Sequence, residues 1–233
     1  MMILALEFSS PRRSAALARG DSILSEADES GGRGTAAFSM IEKVLAAAKV
    51  EREQIEMVCV GLGPGSYTGI RAAISIAQGW QLAREIKLAG LGSVEAIAAQ
   101  AHSEGIFGRV GVVIDAQRNE LYLAGFDISE GGWREVEPLK IVALADVQLR
   151  AEKGETLIGP EAAKWFAAGR NIFPQAGCLA RLAARNPGES GERLEPIYLR
   201  EADFVKLSRS GAATPKAFGG RRFGKGSGSS GRP

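Results

Sequence analysis

The stretch VGVVIDAQRNELYLAGFDI, which starts at Val110, repeats the layout of ILALEFSSPRRSAALARGDSIL near the beginning of the chain. In both, an apolar run closes on an acid (Glu7, Asp115), a short turn containing arginine follows, and a second strand-like run returns. The two acids are 108 positions apart in a chain of 233 residues. A repeat at that spacing predicts two related domains, each opening with a hairpin whose first strand ends in a carboxylate. Chance similarity between two hairpins accounts for these residues equally well.

Around the repeat, ILALEF, SAALA and SILSEA read as three antiparallel strands separated by the turn signals SPRR and Arg-Gly-Asp. Helical patterning runs from Thr35 to Lys49, MVCVG is a buried strand, Gly69 to Arg84 is a second helix, and IKLAGLG with SVEAIAAQA continues as strand and helix. The first half is therefore expected to be β-β-β-α-β-α-β-α. The second half is less regular: a turn at EGGW, a mixed region to Leu149, a short strand TLIGP, a helix from Glu161 to about Ala168 and another around Cys178 to Arg185. These readings place an N-terminal α/β domain at 1-105 and a C-terminal one at 106-205. Residues 206-233 are Gly/Ser-rich, poor in apolar residues and free of acids, which predicts a disordered basic tail. Its seven positive charges leave residues 1-205 with a net charge of −5, a poor balance for stand-alone binding of nucleic acid. No apolar run approaches the ~20 residues of a membrane span. MMILALEF lacks a basic leader region, so neither membrane nor secretory signal is expected. Cys59 and Cys178 lie in apolar surroundings with no pairing motif and read as buried free thiols in a reducing cytoplasm.

The stretch GLGPGSYTGIR, residues 61-71, is the densest cluster of turn residues. It has no lysine, so it is not a P-loop. Ser66 in G-S-Y-T-G has the wrong glycine spacing for a nucleophile elbow, and a general base is missing. The single histidine, His102, ends a helix and reads as a surface or cap residue; one histidine and two scattered cysteines do not assemble a zinc site. What the stretch can do physically is turn sharply and cap a helix through Ser66 or Thr68. The helix N-terminus beside it could accept an anion.

Stepping residues 36-49 by about 100° puts Phe38, Ile41, Leu45 and Ala48 on one flank and Met40, Val44 and Ala47 on the next, a wider apolar arc than a surface helix needs. The second helix likewise has Ile70, Ile74 and Ala77 on one side and Ala72, Ile76, Trp80 and Ala83 on the adjoining one. One flank of each can cover the chain's own sheet. The other needs a cover, which is either a partner or the second domain.

GLGPGSYTGIR, preceded by MVCV and followed by AISIAQGWQLA, resembles the signature of the TsaB (YeaZ) family of bacterial tRNA threonylcarbamoyladenosine biosynthesis proteins. ILALEFSS, GLGSVEAIA, IDAQRNELYLAGF and EPIYLR agree in order, so the resemblance spans residues 1 to about 203. It implies a two-domain actin-like ATPase or sugar-kinase type α/β fold of duplicated βββαβαβα units with a degenerate active site. It also implies a scaffold in the cytoplasm that does no bond chemistry itself and pairs with the catalytic TsaD paralogue, with the TsaE ATPase in a larger complex. Without that partner a homodimer is implied. ATP or ADP and the metal would belong to the partner, so no cofactor and no metal are expected on this chain. The partner interface would be Met40, Val44, Ala47, Ala72, Ile76, Trp80 and Ala83 in a four-helix bundle. The signature residues Gly63, Pro64, Gly65, Ser66, Tyr67, Thr68, Gly69 and Arg71 would set the interface and touch any nucleotide there. Transfer RNA would be met only indirectly, or weakly through the tail. GRGTAAFSMIEKVL carries no histidine where the catalytic paralogue has its metal motif. Two departures stand out: Glu7 replaces an aspartate common in the fold, and Gln117 stands where the family has arginine, leaving Arg118 one position late. The rival reading is an ATP-dependent phosphotransferase or glycoprotease-like peptidase, with Glu7 and Asp115 as paired, now vestigial, metal-side carboxylates.

Overall fold

The opening strand β1 (Met2–Glu7) is buried along its whole length and is paired on both sides, antiparallel to β2 (Arg12–Arg19) and parallel to β4 (Met57–Gly61). The computed structural model describes residues 1-30, 37-186 and 194-199; the tail expected at 206-233 lies outside them. An unbroken apolar run such as MILALE suits a central strand covered on both faces. Flanking it, β3 (Ser22–Ser30) alternates between exposed and half-buried residues, and β5 (Lys87–Leu91) closes the far side, for an order β3-β2-β1-β4-β5.

The second sheet has the same order. β6 (Gly108–Asp115), β7 (Glu120–Ser129) and β8 (Gly132–Ala143) form the antiparallel meander, while β9 (Thr156–Gly159) and β10 (Arg170–Asn171) add in parallel, giving β8-β7-β6-β9-β10. Chance similarity of two hairpins does not predict a shared order, direction and connection type over five strands. The duplicated βββαβαβα plan is that of the two-domain actin-like α/β fold. One correction falls in the region read as mixed: Gly132 to Ala143 is a full edge strand, followed by α4 (Leu144–Glu152). The strand WREVEPLKIVA is half-exposed and contains Pro138, which is tolerated at an edge where no ladder bond is needed on one side. The helix expected from Glu161 is a single turn, α5 (Ala162–Trp165).

Alternation along β1 sends its side chains to two different layers. Leu4 and Leu6 pack with α1 (Ala37–Ala48) and α2 (Tyr67–Arg84), through Met40, Ile41, Val44, Leu45, Ile70, Ala73, Ile74 and Ala77. Ile3 and Ala5 face α6 (Ala176–Arg185), meeting Leu179, Ala180 and Ala183. The two halves exchange helices. α6 comes from the second half yet covers the first sheet, and α3 (Ser93–Ser103) comes from the first half yet packs Val94, Ile97 and Ala101 on Val112, Ile114 and Phe126 of the second. Residues 1-200 accordingly form one compact unit.

On the second sheet Glu137 is clamped by Arg150, whose Nη1 and Nη2 donate to its two carboxylate oxygens at 2.8 and 2.7 Å, with Lys140 Nζ at 2.8 Å. Arg150 is the main reason the Glu137 carboxyl is held down at about 2, with Lys140 assisting against the cost of burial. A depressed carboxyl stabilises the fold above the ordinary glutamate value of 4.5 and stops doing so as pH falls toward about 2. Arg150→Gln should therefore cost about 1–3 kcal/mol at neutral pH, and that difference should shrink on acidification through this window in urea melts.

Candidate functional site

The signature turn lies backbone on backbone against the end of the first strand. Ser66 donates its N–H to the Ser9 carbonyl at 2.7 Å, and its hydroxyl accepts from Gly69 N at 3.3 Å, capping α2 as the sequence suggested. A Cβ on Gly69 would stand 2.0 Å from the Phe8 carbonyl oxygen; one on Gly65, where φ is +147°, would stand 2.2 Å from the Ser9 oxygen. Only glycine permits that approach. Gly63 accepts from Ser93 N at 2.8 Å, and the Gly63–Pro64 peptide is cis. The turn is thus tied both to the first hairpin and to the start of α3.

Two surfaces leave this turn in different directions. On one side a cleft of about 820 Å³ opens between the two duplicated hairpins, with Ser9, Arg13, Ser66, Thr68, Asp115 and Gln117 on its walls. Asp115 accepts from Gln117 N at 2.7 Å and from Gln117 Nε2 at 3.1 Å. Gln117, the departure from the family pattern, therefore holds the carboxylate, within a turn whose residues 117, 118 and 119 all have φ near +60°. On the other side Tyr67 and Arg71 face outward, with Arg71 Nη1 donating to the Tyr67 hydroxyl.

Glu7 does not reach the cleft, which corrects its pairing with Asp115. It is fully buried: Oε1 accepts from Ser9 N at 2.7 Å, Oε2 accepts from Ser93 Oγ at 3.0 Å, and its carboxylate lies where a Cβ on Gly61 would sit. Burial pushes its carboxyl up, against the pull of the Ser9 and Ser93 hydrogen bonds. The same burial, with the Glu7 charge nearby, pushes the Cys59 thiol up.

Met40 and Val44 also need correction as outward interface residues. Both are buried in the first sheet's core with Ile41 and Leu45, because positions 40, 41, 44 and 45 form one i, i+1, i+4, i+5 stripe over β2 and β3. Ala47 is exposed. On α2, Ala72, Ile76 and Trp80 are half-buried and Ala83 is exposed, while Phe38 and Leu82, which were assigned no outward role, are 69% and 88% exposed. Other residues without an assigned role are Arg13 and Ser9 in the cleft and Tyr198 beside Tyr67; their signal lay in the SSPRR and EPIYLR blocks. His102 closes α3 with its Nε2 3.3 Å from the Glu130 carbonyl. Cys59 and Cys178 are buried and free. Among the described residues no group of three or more His, Cys, Asp or Glu could hold a metal ion, and no helix is long and apolar enough to cross a membrane.

Two duplicated five-stranded sheets with a cleft between their hairpins define a protein of the actin-like α/β class, and residues 35-176 match the domain family described as TsaD, tRNA N6-adenosine threonylcarbamoyltransferase. The chain is 27% identical over 179 residues to the tRNA threonylcarbamoyladenosine biosynthesis protein TsaB of Escherichia coli, covering 69% of this chain and 78% of that one. To the Bacillus subtilis TsaB it is 24% identical over 196 residues, 82% and 84% of the two chains. A Pseudomonas aeruginosa crystal structure described as similar to peptidase YEAZ superposes with a TM-score of 0.73 at 26% identity, over 85% of this chain and 99% of that one. The chain belongs to the TsaB (YeaZ) family.

Two substitutions probe this architecture. Gly69→Ala should lower stability by about 1–3 kcal/mol, seen as a fall of several degrees in melting temperature, because a backbone carbonyl has to move. Glu7→Gln keeps the shape without the charge. An acid whose folded value is raised makes its full contribution to stability below its unfolded value and loses that contribution as pH rises through the folded one. The variant should therefore melt above wild type at pH 8, with the gap closing as pH is lowered toward 4.5.

Proposed function

We propose that this chain is the non-catalytic subunit of a complex that builds threonylcarbamoyladenosine at position 37 of tRNA, and that it docks the TsaD-type catalytic paralogue through the outer face of α1 and α2. The observation that carries this reading is the shallow apolar groove of about 240 Å³ where Phe38 and Ile41 of α1 meet Trp80 and Ala83 of α2, rimmed by Glu42, Arg52 and Arg84. A half-buried tryptophan and an exposed phenylalanine inside a charged rim have the composition of a docking hot spot. Ile76, on the same side of α2 as Trp80, continues the surface.

In the same reading the signature turn sets where α2 begins and so aims this face, and the faces of two copies pair when the catalytic subunit is absent. Nucleotide and metal belong to the partner, a TsaE-type ATPase joins the larger assembly, and the setting is cytoplasmic. The divergent places of Glu7 and Asp115 support a scaffold over a phosphotransferase, since only Asp115 opens on the cleft.

Ala83→Glu and Phe38→Asp alter exposed positions, so both variants should fold, yet they should no longer co-elute with the catalytic paralogue in size-exclusion chromatography; co-elution at wild-type level in both would overturn the assignment. Val44→Glu, by contrast, buries an unpaired carboxylate in the core and should unfold the chain, at a cost of several kcal/mol. The wild-type chain alone should hydrolyse ATP at background rate.

A further inference from the structure

The cleft between the two hairpins has its charges sorted by wall. The first half supplies Arg13 from β2 and the Ser66 and Thr68 hydroxyls at the start of α2, while the second half supplies Asp115 from the end of β6 and Glu161 just after β9. Among the described lining residues Arg13 is the only cation, and Asp115 and Glu161 are the only acids.

The two signs do not cancel across the gap. Among the described residues neither Arg13 nor Asp115 forms an ion pair. Arg13 is half-buried with its guanidinium 5.7 Å from the Phe8 ring centroid, and the acid opposite it in the β-ladder, Glu29, is taken by Lys43 Nζ at 2.6 Å. Asp115 is half-buried as well, and the two hydrogen bonds it accepts from Gln117 come from neutral groups, which orient the carboxylate without neutralising it. Glu161 has a 3.7 Å contact with Lys164 Nζ. A half-buried charge with no counter-charge carries a desolvation cost that a ligand of opposite sign relieves. Apolar Pro11 and Tyr122 also face the cleft, whose volume of about 820 Å³ falls within the ~300–1,000 Å³ of small-molecule sites.

We infer that the cleft binds a zwitterion with an α-ammonium and a carboxylate, an amino acid or a short peptide. Its carboxylate sits on Arg13 and the hydroxyls of Ser66 and Thr68, and its ammonium on Asp115 and Glu161. A guanidinium grips a carboxylate through two parallel hydrogen bonds, and a carboxylate accepts strongly from an ammonium. A polyphosphate matches these walls poorly, because one cation faces two acids. The inference does not rest on the docking face of α1 and α2, and the isolated full chain serves for its test.

The test is isothermal titration calorimetry with L-leucine and L-leucyl-L-leucine, repeated with the dipeptide N-acetylated or C-amidated. At least one free zwitterion should bind below about 1 mM, and capping either end should weaken it about tenfold or more. Arg13→Gln should bind the free dipeptide no better than its amide, and Asp115→Asn with Glu161→Gln should bind it no better than its N-acetyl form. A merely structural role for these side chains would not tie each loss to one end of the ligand. Binding of the dipeptide without leucine supports a peptide site, and the reverse supports an amino-acid site. Absence of binding by both at about 10 mM overturns the inference. So do equal affinities of the free and capped dipeptides for the wild-type chain, a result that needs no variant to fold. Binding of adenosine diphosphate with magnesium that Arg13→Gln abolishes, with neither zwitterion bound, would make the cleft a nucleotide site and overturn it as well.

Discussion

The contact between the signature turn and the carbonyls of Phe8 and Ser9 is the constraint on which the other features of the molecule hang. At Gly65 and Gly69 the two backbones approach so closely that a single methyl group would collide with a carbonyl oxygen. Ser66 adds a hydrogen bond to Ser9 across the same contact. A helix that starts from a turn welded to the central strand has its axis and its rotation set together, and α2 runs for eighteen residues from that point. An error of one residue at its start would rotate the helix by about 100° and exchange its buried face for its exposed one.

The rotation that is set distributes the chemistry. Ser66 and Thr68 line the cleft with Asp115 and Arg13, while Tyr67 and Arg71 stand outside it. Farther along, Ile70, Ile74 and Ala77 enter the core, Ile76 and Trp80 remain partly covered, and Ala83 and Leu82 are open. One loop thereby sets a cleft wall, the exposed Tyr67–Arg71 pair and the outer face of α2 at once. That gives a stretch so rich in glycine and hydroxyl groups a structural role in placing α2.

The two repeat acids illustrate how duplicated positions diverge. Asp115 ends its strand at a turn of left-handed residues, where Gln117 takes both of its oxygens, and it remains at the cleft. Glu7 is one methylene longer and folds back into the joint between the end of β4 and the start of α3. There its carboxylate joins Ser9 of the first hairpin to Ser93 of the helix that packs on the other sheet. The Glu7 carboxyl is thereby part of the connection between the halves.

Much of this was legible in the chain. The repeated hairpins, the helix that follows GPGS, the cap at Ser66 and the buried thiols all follow from local rules, because turn chemistry, capping and strand alternation are read over a few residues. The family resemblance, too, is carried by linear blocks. What no local rule contained was which layer each flank would meet. Met40 and Val44 were as apolar as Phe38, and only the position of α1 over β2 and β3 decided that the first two are core and the third is surface. The edge strand β8 was obscured by polar residues and Pro138, which are informative only once a neighbour exists on one side and none on the other. Glu7 and Asp115 were indistinguishable as acids closing strands. The separation of their roles, the exchange of α3 and α6 between sheets, and the meeting of Tyr67 with Tyr198 across 131 positions depend on contacts between distant parts of the chain, which only the tertiary structure creates.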